Sequence, residues 1–234
     1  MGLSETVKQL LDEAIVRNTV REDRDYLGVS ILGYGCLRKI QYSWKNAAPD
    51  SPHSAKTLRI FQRGHLFEEM VATYLRNAGF ELITEKTRKS EDPPLDFMEG
   101  NFGGHTDGII VSGPAIEGLS YPFLWENKAV GVKSWTNLIR EVPLREKDNT
   151  YAVQIAVYQA MLGLPNPALF TVVNSNTMEI HCEFVELETE YAQKALDRAC
   201  LILSSAKNEL LPRVSNDSDY FECKMCSYRN TCWE

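Results

Sequence analysis

The chain ends in FECKMCSYRNTCWE, which puts Cys223, Cys226 and Cys232 within ten residues, with two residues between the first pair and five between the second. Thiolates this close converge on a metal, and a closed thiolate site takes four ligands. A further ligand must therefore come from elsewhere. At 234 residues the chain can bury one substantial core, or a core with a small appendage. No apolar run approaches the roughly 20 residues needed to span a bilayer. The opening MGLSETVKQLLDEAIVRN carries acids in an amphipathic pattern, so it does not read as a secretory signal. Gly2 follows Met1, but within a predicted helix, and myristoylation is not expected. A cytoplasmic, reducing compartment is expected, where clustered cysteines bind metal rather than form disulfides.

The formal charge of −7 argues against a general nucleic-acid coat but leaves room for a local groove. Residues 36–63 carry Arg38, Lys39, Lys45, Lys56, Arg59 and Arg63 against one acid, Asp50. Residues 128–147 carry Lys128, Lys133, Arg140, Arg145 and Lys147 against Glu141 and Glu146. Such islands suit a docked polyanion, or simply solvated helix faces.

Periodicity predicts a helix over 4–17, capped by Ser4, with Val7, Leu10, Leu11, Ala14 and Ile15 on one face. A short helix follows in CLRKIQYSWK, and a long one spans about 54–78, closed by Gly79. FELIT, GGHTDGIIVS and YPFLWENKAV read as strands. Helices follow near 132–141 and 149–163, then a hairpin in which Ile180, Cys182 and Phe184 alternate inward, then a helix over about 189–210. Cys182 and Cys200 read as core thiols. The order predicts an α/β layer structure around a mixed sheet flanked by helices. It divides into an N-terminal helical segment (1–53), a core (54–187) and a C-terminal helix with its cysteine-rich tail (188–234).

On a strand, residues two apart share a face, so Glu126 and Lys128 point together and Asn127 points away. A turn near 113–118 pairs this strand with the one bearing Asp107. Two carboxylates and a carbonyl suit Mg²⁺ or Mn²⁺, while a solvated strand edge would give the same letters. His65, in RGHLFEEM, lies at helical spacing from Leu58, Phe61, Ala72 and Leu75. Glu68 and Glu69 turn that apolar stripe polar, which suits a metal site better than a core histidine. Gln154 and Tyr158, in QIAVYQ, stack on one helical face.

His, Asp, Glu-x-Lys and Gln-x-x-x-Tyr in this order resemble the PD-(D/E)XK nuclease superfamily, in its RecB-type branch. The Cys-x-x-Cys-x-x-x-x-x-Cys tail narrows the resemblance to RecB-like nucleases with an iron–sulfur cluster, which include CRISPR-associated adaptation nucleases and the AddB nuclease domain. Departures are Leu37 and Thr106, where the family has proline, and the polar Asn127. The resemblance implies a restriction-endonuclease-like core and a [4Fe–4S] cluster on Cys36, Cys223, Cys226 and Cys232, in a small subdomain joining the N- and C-terminal segments. Structural zinc is the alternative for four thiolates. It implies His65, Asp107, Glu126 and the Asn127 carbonyl as ligands of Mg²⁺ or Mn²⁺, and Asp107, Glu126 and Lys128 as catalytic residues. Gln154 and Tyr158 are implied to contact DNA. Arg63, Lys133 and Trp135, with Trp44 and Tyr42 beside the basic islands, are candidates for phosphate contact or base stacking. The implied activity is metal-dependent exonucleolytic hydrolysis of DNA, preferring single-stranded ends, in recombination, repair, phage DNA metabolism or spacer acquisition, with protein partners from those pathways. A nuclease-fold module that binds DNA or a partner without cutting it is the alternative.

Overall fold

The computed structural model describes residues 2–19, 24–205 and 209–234. The first helix, α1, covers Leu3–Asn18, with Gly2 rather than Ser4 as its N-cap. The backbone N–H of Gly2 donates to Glu5 at 2.9 Å. Strand β1 (Leu27–Gly28) leads through a 3₁₀ turn, Val29–Ile31, to helix α2 (Leu37–Trp44), whose N-cap is Cys36. The long helix α3 (Ala55–Asn77) starts at Ser54, whose hydroxyl accepts from the Thr57 N–H. Gly79, at φ +93°, turns the chain out of it into β2 (Glu81–Ile83). Then come β3 (Asp96–Glu99), β4 (Phe102–His105), β5 (Gly108–Ser112) and β6 (Phe123–Val130). Helices α4 (Val132–Leu138), α5 (Leu144–Lys147) and α6 (Asn149–Met161) lead to the hairpin β7 (Ala168–Asn174) and β8 (Ile180–Val185). Helix α7 (Thr189–Ser204) precedes two short tail helices, α8 (Phe221–Lys224) and α9 (Arg229–Trp233). Residues 206–208 of the predicted last helix lie outside the described residues.

The main sheet has the order β2-β5-β6-β7-β8, with only β6 and β7 parallel. Parallel neighbours need a crossover, and α4 to α6 supply it. A smaller sheet, β1-β4-β3, stands beside it. The fold is α/β, with mixed sheets flanked by helices. One core cluster gathers Phe170, Val172 and Leu124 with residues of α6 and α7; the other gathers Trp125, Phe123, Leu169 and Val173 with Val71 and Ala72 of α3. Among the described residues no helix is long and apolar enough to cross a membrane.

Four local expectations are corrected. The single strand expected from GGHTDGIIVS breaks at Thr106–Asp107 and serves two sheets. Thr106 causes the break, because its N–H and hydroxyl both donate to the Leu95 carbonyl, at 2.8 and 3.1 Å. A proline there would donate neither. On β8, Ile180, Cys182 and Phe184 are exposed rather than buried. They lie opposite Val173, Thr171 and Leu169, on the face α3 packs against, but on the edge strand. Cys200 is exposed because the buried stripe of α7 runs through Ala192, Ala195, Ala199 and Ile202, one position away. Finally, α1 exposes Val7, Leu10 and Leu11, and reaches α3 through an ion pair of Asp12 with Arg59 at 2.7 Å.

Gly33 lies where α6 passes closely: a Cβ there would stand 2.4 Å from the Thr150 Cα and 2.9 Å from the Asn149 carbonyl. Both obstacles are backbone, so neither can rotate away. Gly33→Ala is expected to cost about 1–3 kcal/mol, read as a lowered melting temperature.

Candidate active site

The β5–β6 ladder pairs Gly108–Ile110 with Phe123–Trp125 and goes no further. Past Trp125, β6 keeps its β7 neighbour, but the next backbone donor on its other side has no strand to meet. Asp107 takes that place: its Oδ2 accepts from the Asn127 N–H at 2.8 Å. The break at Thr106–Asp107 thus opens a notch in the sheet and fills it with a carboxylate.

Alternation then separates the β6 side chains. Asn127 points toward the α3 side, where the Thr171 hydroxyl donates to it at 2.9 Å while accepting from Trp125 Nε1 at 2.9 Å. A buried polar Asn is tolerated because its oxygen is hydrogen-bonded. Glu126 and Lys128 point the other way, and the Lys128 ammonium donates to Glu126 Oε1. The same oxygen accepts from Gln154 Nε2 at 2.9 Å. Glu126 is fully buried, and its Oε2 has no hydrogen-bond partner. Leaving such an oxygen bare is costly, so something is expected to meet it.

Burial pushes the Glu126 carboxyl up to about 8, and nearby Asp107 adds to the rise while Lys128 opposes it. Burial alone would lower the Lys128 pKa; the carboxylates of Glu126 and Asp107 outweigh it and hold the ammonium charged. A third carboxyl belongs to the same group. Glu68, on α3, is raised to about 7 by burial and then by Asp107 and Glu69, with Lys128 pulling against them. Three acids near one ammonium make an oxygen-rich centre in which Glu126 and Glu68 hold their protons more tightly than usual. Oxygen donors of this kind suit a hard divalent cation, and Glu126 Oε2 is left without a partner. These side chains, like the cysteines below, do not stand in ready metal-binding geometry.

His65 does not join this centre. Its side chain is 84% exposed, and Nδ1 stands 3.8 Å from Glu68 Oε2. The α3 carboxylate whose titration responds to Asp107 and Lys128 is Glu68, three residues later. The sign was in the sequence: Glu68 lies four residues before buried Ala72, so it shares the packed stripe of α3. Glu68→Ala is accordingly expected to weaken Mn²⁺ binding at least about tenfold, and His65→Ala to leave it unchanged, by titration calorimetry.

Gln154 and Tyr158 sit beneath the centre rather than on its surface. They are 7% and 2% exposed, and Gln154 supports Glu126 by its hydrogen bond. Burial and then Glu126 raise the Tyr158 pKa, and a hydrogen bond with Gln154 partly offsets this. Gly104 makes room for Tyr158, since a Cβ there would lie 2.6 Å from the ring.

The basic islands are mostly engaged internally. Arg145 pairs with Glu188, and Lys147 with Glu183 at 2.6 Å. Arg59 holds Asp12, and the Lys39 ammonium lies 4.0 Å from the Tyr34 ring centre. Lys133 is exposed and Arg63 half-buried. Trp135 is half-buried against the core, edge-on to His181, while Tyr42 is buried and tilts against Tyr228.

Cys36, Cys223, Cys226 and Cys232 line one narrow pocket. No group of three or more His, Cys, Asp or Glu among the described residues stands in ready metal-binding geometry. The thiols surround a common space without yet converging. Burial pushes Cys223 and Cys226 up, and the neighbouring thiols Cys36 and Cys232 act in the same direction. Arg213 Nε donates to Cys232 Sγ at 3.3 Å, and the Tyr228 N–H to Cys226 Sγ at 3.5 Å. Hydrogen bonds bind the two chain ends together. Arg38 Nε donates to the Leu211 carbonyl at 2.7 Å, Gln41 Nε2 to the Glu209 carbonyl at 2.7 Å, and the Asp50 N–H to the Ser227 carbonyl at 2.7 Å.

No protein-family model and no curated protein matches the sequence. Solved structures do. An alkaline exonuclease from Laribacter hongkongensis, LHK-Exo, aligns at a TM-score of 0.49 and 14% identity over 84% of this chain and 91% of that one. Its complex with dAMP aligns at 0.45 and 15% identity, over 77% and 87%. The crystal structure of SSO0001 aligns at 0.51 and 14% identity over 95% of this chain and 94% of its own. The architecture built above, an α/β core of mixed strands flanked by helices, is therefore one that the chain shares, nearly end to end, with SSO0001.

Proposed function

We propose that the chain is a metal-dependent deoxyribonuclease of the PD-(D/E)XK type, acting on single-stranded ends. The observation that carries this is the bare, fully buried Oε2 of Glu126 among Asp107, Glu68 and Lys128. Asp107, Glu126, Glu68 and the Asn127 carbonyl would hold Mg²⁺ or Mn²⁺. Such an ion polarises a phosphoryl oxygen and acidifies a bound water. The residues of the chain do the rest. Gln154 and Lys128 fix one oxygen of Glu126 and leave the other free to ligate. The Asn127 N–H restrains Asp107. Lys128 keeps a positive charge beside the carboxylates, where it offsets charge developing on the phosphate in the transition state. Recombination, repair, phage DNA metabolism and spacer acquisition all supply such ends.

The four cysteines are proposed to hold a [4Fe–4S] cluster that clasps the tail to α2. The four thiols around one pocket and the N–H donors aimed at two of their sulfurs support this. Purified protein is expected to be brown, to absorb near about 400 nm and to contain iron; a colourless protein with one zinc contradicts the cluster.

The test of the enzyme uses end-labelled single-stranded DNA with Mg²⁺ or Mn²⁺, linear against circular. Degradation of linear DNA with circles spared is expected. Equal cutting of circles indicates an endonuclease, and binding without cutting indicates a non-catalytic module.

A further inference from the structure

A second cavity, of about 590 Å³, lies between α1, α2, the start of α3 and the cysteine-bearing tail. That volume falls within the usual range for ligand pockets. Tyr26, Trp44, His53, Phe61 and Tyr228 line it, with Arg24 among them. His53 meets Phe61 edge-on, with ring centres 5.2 Å apart, and the Arg24 guanidinium lies 5.9 Å from the Tyr26 ring centre. Phe61 is 50% exposed, so the core does not account for it. Several aromatic walls and a guanidinium suit a flat ligand carried on an anionic backbone.

The cavity is linked to the catalytic notch through α3. Leu58, Phe61, His65 and Glu68 follow one another three or four residues apart, on one face of the helix. Phe61 precedes Glu68 by seven residues, about 10 Å along the axis. Between them His65 is 84% exposed, so the helix surface is open to solvent at that position. The tail supplies a wall of the cavity through Ser227 and Tyr228, and the Asn230 N–H holds Asp50 at 2.7 Å.

From this geometry we infer that the cavity is a nucleobase pocket, holding an unpaired base of single-stranded DNA within a few nucleotides of the scissile phosphate. This rests on the nuclease reading above.

The experiment uses the full chain with its tail metal in place. Binding of labelled single-stranded DNA is measured with free divalent ions chelated, while one abasic site is moved along the strand a position at a time. Cleavage of the intact strand is measured separately with Mn²⁺. Loss of the base at one or two adjacent positions is expected to weaken binding about 5- to 10-fold, the range of a lost stacking contact. Phe61→Ala is expected to weaken binding of intact DNA by a similar factor and to flatten the scan, while Phe61→Trp restores both. Because Phe61 is half exposed, its removal should leave the melting temperature in place. A flat scan in wild type that still cuts DNA overturns the pocket and leaves the nuclease standing. A position-dependent scan untouched by Phe61→Ala also overturns it. A position-dependent scan that Phe61→Ala abolishes, in a protein that never cuts, keeps the pocket and removes the nuclease. Absence of both binding and cleavage removes both.

Discussion

Lys128→Ala is expected to lower phosphodiester hydrolysis about 10³-fold while DNA binding holds within about twofold. Lys128 is the cation that donates to Glu126, and its ammonium stays charged among Glu126, Asp107 and Glu68. Its worth is largest when negative charge builds on the phosphate, so the loss should fall on kcat rather than KM. Removing one partner of a buried ion pair is costly when the other stays charged. Here Glu126, already raised to about 8 by burial and by Asp107, can take up a proton instead, and Gln154 still holds its Oε1. The fold should therefore survive with a small drop in melting temperature. Asp107→Ala should lose as much activity by a different route, because it removes a proposed ligand and leaves the Asn127 N–H without its acceptor. Hydrolysis within tenfold of wild type in either variant would contradict the proposed roles.

The second large effect is on stability. Cys226→Ala is expected to abolish the proposed tail cluster and to lower the melting temperature by about 10 °C or more. This corresponds to a loss of about 3–5 kcal/mol at roughly 2–4 °C per kcal/mol for a chain of this size. The tail is held by short helices of four and five residues, too short to persist unaided. It otherwise depends on hydrogen bonds to residues 36–50 and on the tilted Tyr42–Tyr228 contact. Losing the clasp should also loosen the Tyr228 wall of the nucleobase cavity. An unchanged melting temperature, with wild-type absorbance lost, would show that the cluster is not structural.

Strand alternation was enough to put Glu126 and Lys128 on one face and Asn127 on the other, because the side-chain period of a strand is fixed by its backbone. Helical spacing likewise put Gln154 and Tyr158 together on α6. It could not say that they lie under Glu126, since depth depends on the sheet packed above. Residue chemistry favours His65, but its exposure, with Nδ1 3.8 Å from Glu68 Oε2, depends on packing that helical phase alone does not give. The notch in the sheet was illegible, because it arises where Thr106 diverts the chain to Leu95, a contact across eleven residues with no local signature. The exposure of Ile180, Cys182 and Phe184 has a similar cause: they share the face of buried Leu169, Thr171 and Val173, but on the edge strand of the sheet, which alternation alone does not reveal. Linear charge density in the basic islands could not show that Arg145 and Lys147 pair with Glu188 and Glu183.

The central claim is that Glu68, Asp107 and Glu126 meet around one divalent ion beside Lys128. Anomalous diffraction from crystals soaked in Mn²⁺ tests it most directly. The expected result is a single strong peak about 2.1 Å from oxygens of Asp107, Glu126 and Glu68, with His65 outside the coordination shell. A peak on His65 without Glu68, or none at all in the notch at saturating Mn²⁺, would contradict it.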